Sequence, residues 1–470
     1  MAAPRSIADL PGPPRLPLVG NLHQVRVDRL HLTVEEWCRR YGPVFRFDIG
    51  PRRIVAIADS DAIDTVLRDR PDGFRRAREI ESVLGEMGIR GVFSAEGSDW
   101  RRQRRLAVTG LNSNYLHRYF HVIRQTTERL DRRLARAARE GRPFEIGEAL
   151  MSYTVDITSA LAFGDDLNTL ERPDDEVHRH VQTVFDAIGR RIRAPLPYWR
   201  LLRLPADRAL DRALAELRRA VAAFIERARA ELRRRPELVE RPENFLQSML
   251  AAQQADGTFT DDEIIGSTLL LLLAGEETTA STLAWTVWFL ALDSDVQAEC
   301  AREADEILGE DRFPADYETV ERLRYTEAVL RESLRLKPVA PYLLMESLDD
   351  RTLAGTRVPA GTRLFLLTRH AGLAASGVER PHDFDPDRWL DADHSTRDVK
   401  APVAFGAGPR FCPGRNLAFL EAKAAIATLA RNFELTLDDS NGPVEERFAF
   451  TMVPAGLSVR LRERALVAAV

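Results

Sequence analysis

At 470 residues, 44% of them hydrophobic and with a net charge of −5, the chain has enough apolar sequence for a large core and lacks the basic excess that general nucleic-acid binding requires. Its three cysteines, Cys38, Cys300 and Cys412, have no paired spacing, which excludes a CxxC-type zinc or iron–sulfur site and points to a reducing compartment without disulfides. Residues 1–10 carry charges and no leader-like apolar run, and the most apolar stretch, 264–292, is broken by Glu276 and Glu277, so no signal peptide or membrane anchor is expected and the location reads as cytoplasmic.

Pro11, Pro13, Pro14 and Pro17 make residues 1–20 a stiff lead-in that cannot be helical. A short helix carrying Trp37 and Cys38 follows, then two strand-like runs, 44–47 and 54–57, whose separation by Gly50 and Pro51 predicts a hairpin. From about residue 60 helical periodicity dominates, with apolar residues three and four apart over 124–140, 206–235, 318–337 and 416–433. Thr260, followed by Asp261, Asp262 and Glu263, is a capping box. It opens a central helix that reaches about Leu292, roughly 45 Å at 1.5 Å per residue. Residues 269–273 are apolar all round, so this helix should be buried. Strand-like runs return at 449–453 and 457–461. With no repeat, low-complexity tract or long linker, residues 1–470 read as a single mainly α domain with a small β portion.

The sharpest motif is Phe405-Gly406-Ala407-Gly408-Pro409-Arg410-Phe411-Cys412-Pro413-Gly414. Its glycines and proline make a tight turn ahead of the cysteine, and Pro413 suits the first turn of the helix that follows. A cysteine at a helix N-terminus meets a positive dipole end and free N–H groups, which favour the thiolate, the electron-donating axial ligand that iron needs. Upstream, Glu332 and Arg335 share a helix face at i, i+3, and Phe384-Asp385-Pro386-Asp387-Arg388-Trp389 brings a second arginine. Within the central helix, Ala274-Gly275-Glu276-Glu277-Thr278-Thr279 puts acids and hydroxyls on an apolar surface, where Gly275 and the threonines should loosen the helix into a polar notch. A basic helix starts at Asp99-Trp100-Arg101-Arg102-Gln103-Arg104-Arg105, with Trp100 and Arg104 on one face.

In this order the motifs resemble the cytochrome P-450 family, whose heme-binding signature is matched by Phe405, Gly408, Arg410, Cys412 and Gly414. The likeness runs from the proline-rich lead-in to the C-terminal strands. It implies the cytochrome P-450 fold, with heme b between the long central helix and the Cys-loop helix and its iron ligated by Cys412. By the same resemblance, Arg410, Trp100 and Arg104 reach the heme propionates and Ala274 lies against the heme. Glu332, Arg335 and Arg388 form a buried network holding the proximal loop. Glu277 and Thr278 relay protons, while Glu276 is left open between a solvated acid and a member of that relay. Phe93, Leu270, Ala274, residues 340–344 (Leu343 among them) and residues 451–453 (Thr451 and Met452 among them) line the substrate pocket, and Arg101, Arg102 and Arg105 offer a docking face. One departure stands out: many members carry a propionate-binding arginine near Met345, and here that position is apolar.

The implied activity is heme-thiolate monooxygenation. Dioxygen would be used to hydroxylate or epoxidise a hydrophobic small molecule such as a fatty acid, terpenoid, steroid or polyketide. Electrons would come from a separate ferredoxin or flavodoxin with its NAD(P)H-dependent reductase. The scarcity of lysine (Lys337, Lys400 and Lys423 alone) and the missing anchor fit a soluble bacterial-type member. The alternatives are a peroxide-driven peroxygenase of the same fold, in which arginine and proline typically replace the acid–threonine pair, and a non-catalytic heme sensor.

Overall fold

The computed structural model describes residues 4–172, 176–194, 196–257, 259–374, 379–390, 403–440 and 442–465. The lead-in, whose residues 1–3 lie outside the described part, departs from expectation in one 3-10 turn at Ile7–Asp9, capped by Ser6 ahead of the prolines, and is non-helical through the prolines themselves. Asn21 fastens it, donating to the Pro14 carbonyl at 3.0 Å and accepting from the Asp48 amide at 2.9 Å. Helix α1 (Leu30–Tyr41) buries Trp37 and Cys38, and the expected hairpin is β1 (Val44–Ile49) with β2 (Arg52–Ile57), closing at the Ile49–Arg52 pair. Then come α2 (Ser60–Arg68), β3 (Phe74–Arg76), α3 (Arg78–Glu86) and the basic helix α4 (Gly97–Gly110).

The helical body comprises α5 (Ser113–Glu140), α6 (Ile146–Phe163), α7 (Glu176–Arg193), α8 (Pro205–Arg234), the short α9 (Glu237–Glu240), α10 (Phe245–Asp256), α11 (Asp261–Leu292), α12 (Ser294–Leu308), α13 (Tyr317–Arg322) and α14 (Arg324–Leu336). The C-terminal part holds β4 (Leu343–Ser347), β5 (Arg351–Leu353), β6 (Thr356–Val358), β7 (Arg363–Leu366), α15 (Thr368–Ala374), α16 (Arg415–Asn432), β8 (Phe433–Leu437), β9 (Glu445–Phe448), β10 (Met452–Ala455) and β11 (Val459–Glu463). One five-stranded sheet has the order β1-β2-β7-β4-β3, with only the β2–β7 pair parallel; β5–β6, β9–β10 and β8–β11 are two-stranded.

Helix α11 positions the site. Its capping box is present, Thr260 Oγ1 accepting from the Glu263 amide and the Glu263 carboxylate from the Thr260 amide at 2.9 Å. It packs along α6 and against α14 and α16, which explains why both its faces are apolar. The helix runs through Gly275 unbroken, so the expected loosening does not appear. Gly275 has another use: a Cβ there would lie 2.5 Å from Thr158 Oγ1 on α6, so its absence lets the two helices approach closely.

Two other expectations change. Residues 449–453 are not one strand, because Ala449–Thr451 is the turn between β9 and β10, where the Ala449 amide donates to the Thr451 carbonyl. The single helix expected over 318–337 is two, α13 and α14, parted at Leu323. Glu303 on α12 causes this, its carboxylate accepting from the Tyr325 amide at 2.6 Å and the Thr326 amide at 2.8 Å, which starts a new helix from outside. Among the described residues no helix is long and apolar enough to cross a membrane.

Candidate active site

A cavity of about 380 Å³ lies between α4, α11, the start of β4 and the Cys412 loop. Cys412 is the one cysteine lining it; Cys38 and Cys300 are buried helix residues, as expected. The loop turns through Gly406 and Gly408, both at positive φ, and closes with the Cys412 amide donating to the Phe405 carbonyl at 2.8 Å. Gly408 does not line the cavity. It packs on α2, where a Cβ would lie 2.6 Å from the Arg68 Cα, so this position serves backbone approach. Helix α16 begins at Arg415 with Gly414 as N-cap, which places Pro413 just outside the helix and not in its first turn. The amides of Gly414 and Arg415 donate to the Cys412 sulfur. Burial pushes the thiol up; those two amides, with Arg104 and Arg76, pull it back towards the thiolate.

Arginines crowd the wall beside the loop. Arg410 Nη2 donates to the Ala95 carbonyl and to Glu96 Oε2, both at 2.6 Å, and its guanidinium lies 4.7 Å from the Trp100 ring centre. Its Nε and Nη1 are buried without a partner, as are Nε and Nη2 of Arg70. Burial, with repulsion from Arg410, holds Arg70 down at about 10. Arg104 stacks 4.5 Å from the exposed Phe411 ring, and the half-buried Arg76 sits 3.6 Å over Phe93. Neither Arg70 nor Arg76 stood out in the sequence, because neither belongs to a local pattern; the fold brings them here.

On α11, Ala274, Thr278 and Leu270 face the cavity. Thr278 Oγ1 donates to the Ala274 carbonyl at 2.7 Å. Glu277 points aside, next to Thr451 and Arg447 of the β9–β10 hairpin; burial and the neighbouring Glu276 push its carboxyl up to about 7 against the pull of Thr451. Glu276 is 1% exposed, which rules out the solvated acid. A further acid, Glu421 on α16, went unnoticed in the sequence. It lines the cavity fully buried, with the Thr279 hydroxyl as a partner and Oε2 without one, and burial pushes it up to about 8.

Phe93, Leu343 and Phe405 line the cavity as expected. Met452 does not. The turn directs Thr451 and Phe450 to the cavity, and Met452 is buried on the other side, its sulfur against Arg369 and its carbonyl accepting from Trp285. Arg102 is also redirected: it pairs with Glu263 at the start of α11, while Arg101 and Arg105 remain exposed. Behind the site, Glu332 accepts from Arg335 at 2.8 and 2.7 Å and from Arg388 at 3.0 Å, and all three are buried or nearly so. Trp389 Nε1 joins them at 2.9 Å, a member that sequence reasoning missed.

The cytochrome P-450 family model matches residues 10–461. The chain belongs to the cytochrome P-450 family. Relatives include Protein LUTEIN DEFICIENT 5, chloroplastic, of Arabidopsis thaliana, 28% identical over 95% of this chain and 76% of that protein. Cytochrome P-450 3A15 of Cavia porcellus is 28% identical over 90% and 85%. Cytochrome P-450 4c21 of Blattella germanica is 26% identical over 91% and 88%. These are plant and animal proteins, and they lend no support to the expected soluble bacterial type. Membership makes the chain a heme-thiolate monooxygenase, with heme b ligated through a cysteine thiolate. The residues present fit that group. Its two carboxylates would answer the orphaned nitrogens of Arg70 and Arg410, and the cavity holds a single cysteine sulfur with amide support.

Proposed function

We propose that this cytochrome P-450 monooxygenase oxidises an apolar small molecule with dioxygen, using Cys412 as its iron ligand. The observation that carries the reading is Cys412 lining an apolar cavity opposite Ala274 and Thr278 of α11, beside Arg70 and Arg410, whose buried nitrogens are only partly answered. Heme, when bound, supplies the redox chemistry: it takes up electrons singly and activates dioxygen. Trp100, Arg104 and Arg410 hold its carboxylates, and Phe405 and Gly414 shape the sulfur's surroundings. Thr278 presents a hydroxyl oxygen to the cavity, and Glu277, with a carboxyl poised near neutrality, takes protons up and hands them on. Phe93, Leu270 and Leu343 exclude water and orient the substrate.

Electrons come from a separate ferredoxin or flavodoxin served by an NAD(P)H-dependent reductase. Exposed Arg101 and Arg105 support this, on the helix that Arg104 ties to Phe411 of the cysteine loop. Residues 1–470 act as one heme domain, a reading supported by β2 and β7 pairing across more than half the chain. The test is the reduced carbon monoxide complex. Cys412→Ser should lose the strongly red-shifted Soret band, while Cys38→Ser and Cys300→Ser keep it. Survival of the band in Cys412→Ser would place the ligand elsewhere.

A further inference from the structure

Three arginines occupy the last turn of α7, and their surroundings differ. Arg191 donates to Asp207 at 3.0 Å and stacks on Trp199, and Arg190 lies 3.7 Å from the same carboxylate. Arg193 has no such partner: among the described residues no carboxylate lies within ion-pair distance of it. Its Nη1 donates to the Phe448 carbonyl, a neutral acceptor, and its Nε is buried with nothing to bind. It lines the cavity, and burial lowers its pKa. Its neighbours there are apolar: Ile192 precedes it, and Phe450 stands 6.0 Å from Phe93 across the slot. Arg193 is also set apart from the arginines at the cysteine loop, since the groups acting on it are Tyr342, Asp28 and Asp186.

We propose that Arg193 determines substrate class, by binding the carboxylate of an elongated apolar acid whose hydrocarbon body lies along Phe450 and Phe93 towards α11. The inference rests on the monooxygenase reading above and narrows it. A guanidinium whose Nε is withdrawn from water gains most from a group that brings both charge and paired acceptors, and a carboxylate does so. A hydrocarbon of the same length leaves the buried Nε unsatisfied, and an alcohol or ester offers it a neutral oxygen without the charge. Held at that end, the acid exposes its remote carbons to the α11 wall at Ala274 and Thr278.

The test is equilibrium binding to the heme-loaded protein, read by the spin-state shift, with decanoate, dodecanoate and hexadecanoate each set against its methyl ester. The acids should bind about tenfold or more tightly than their esters, the scale of one charge-assisted contact. In Arg193→Leu that preference should collapse while ester affinity holds, and Arg193→Lys should restore part of it. Unchanged ester binding separates loss of an anion contact from a loosened β9–β10 turn. Acids that bind no more tightly than their esters, acids that fail to bind, or a preference that survives in Arg193→Leu would overturn the proposal. None of these readouts needs turnover, and the carbon monoxide spectrum reports independently on Cys412, so failure of the two readings is distinguishable.

Discussion

Arg76 and Met345 are register partners in the antiparallel pairing of β3 with β4, and Arg76 donates from Nε to the Phe93 carbonyl at 3.0 Å. The cation missing at the apolar Met345 position is therefore available from the adjacent strand. Arg76 is costly as it stands: burial, then repulsion from Arg70 and Arg410, holds it well below its usual pKa.

A heme carboxylate beside Arg76 would relieve that cost. Arg76→Met keeps the volume and removes the charge. It should shed heme faster by roughly 10- to 100-fold, since a hydrogen bond to a charged group contributes about 1.5–3 kcal/mol. Transfer of heme to excess apomyoglobin measures this without substrate. An unchanged rate would leave the carboxylates to Arg70, Arg104 and Arg410.

Thr278→Ala should still bind heme and substrate and consume reductant, but yield less product per reductant and more hydrogen peroxide, because protons arrive out of place. Glu277 sits near 7, so its protonated fraction falls as pH rises through neutrality, and turnover limited by that proton should fall with it. Glu277→Gln should lose this inflection and run about 10²–10⁴-fold slower. Product, peroxide and reductant measured across pH check both variants. Unchanged coupling in Thr278→Ala would route the protons through other groups, with Thr279, Glu276 and Glu421 the nearest candidates.

Glu332→Ala strands Arg335 and Arg388 in the interior, and removing one partner of a buried pair costs about 3–5 kcal/mol. Trp389→Phe removes a single hydrogen bond to the same carboxylate, worth about 1.5–3 kcal/mol. Denaturant midpoints of the heme-loaded proteins should rank in that order. A Glu332→Ala midpoint near wild type would show the network to be dispensable.

Glu421 couples stability to pH in the direction opposite to an ion-paired acid. Its folded value of about 8 lies above the ordinary 4.5, so between those values the folded state holds a proton that the unfolded chain has released. Stability should fall across that window as pH rises, by up to about 1.4 kcal/mol per unit for this group, and level off above it. Glu421→Gln should make the profile shallower, leaving the smaller same-sign slope that Glu277 contributes below about 7, as seen in melting temperature against pH. A slope unchanged in Glu421→Gln would assign it to another group.

Much of this protein was legible locally. The capping box at Thr260, the periodicity of α11, the cysteine loop and the Glu332–Arg335 pair are written in neighbouring residues, because caps, helix faces and tight turns are decided within a few positions of one another. What long-range packing decides was not legible. Glu303 starts α14 from another helix, Gly275 serves Thr158, and the β9–β10 turn selects Thr451 alone of residues 451–453 for the cavity. Arg76, Arg193 and Glu421 acquire their chemistry only when distant segments bury them together. Burial and missing partners, which shift a pKa or leave a donor unanswered, are properties of surroundings that the chain assembles only on folding.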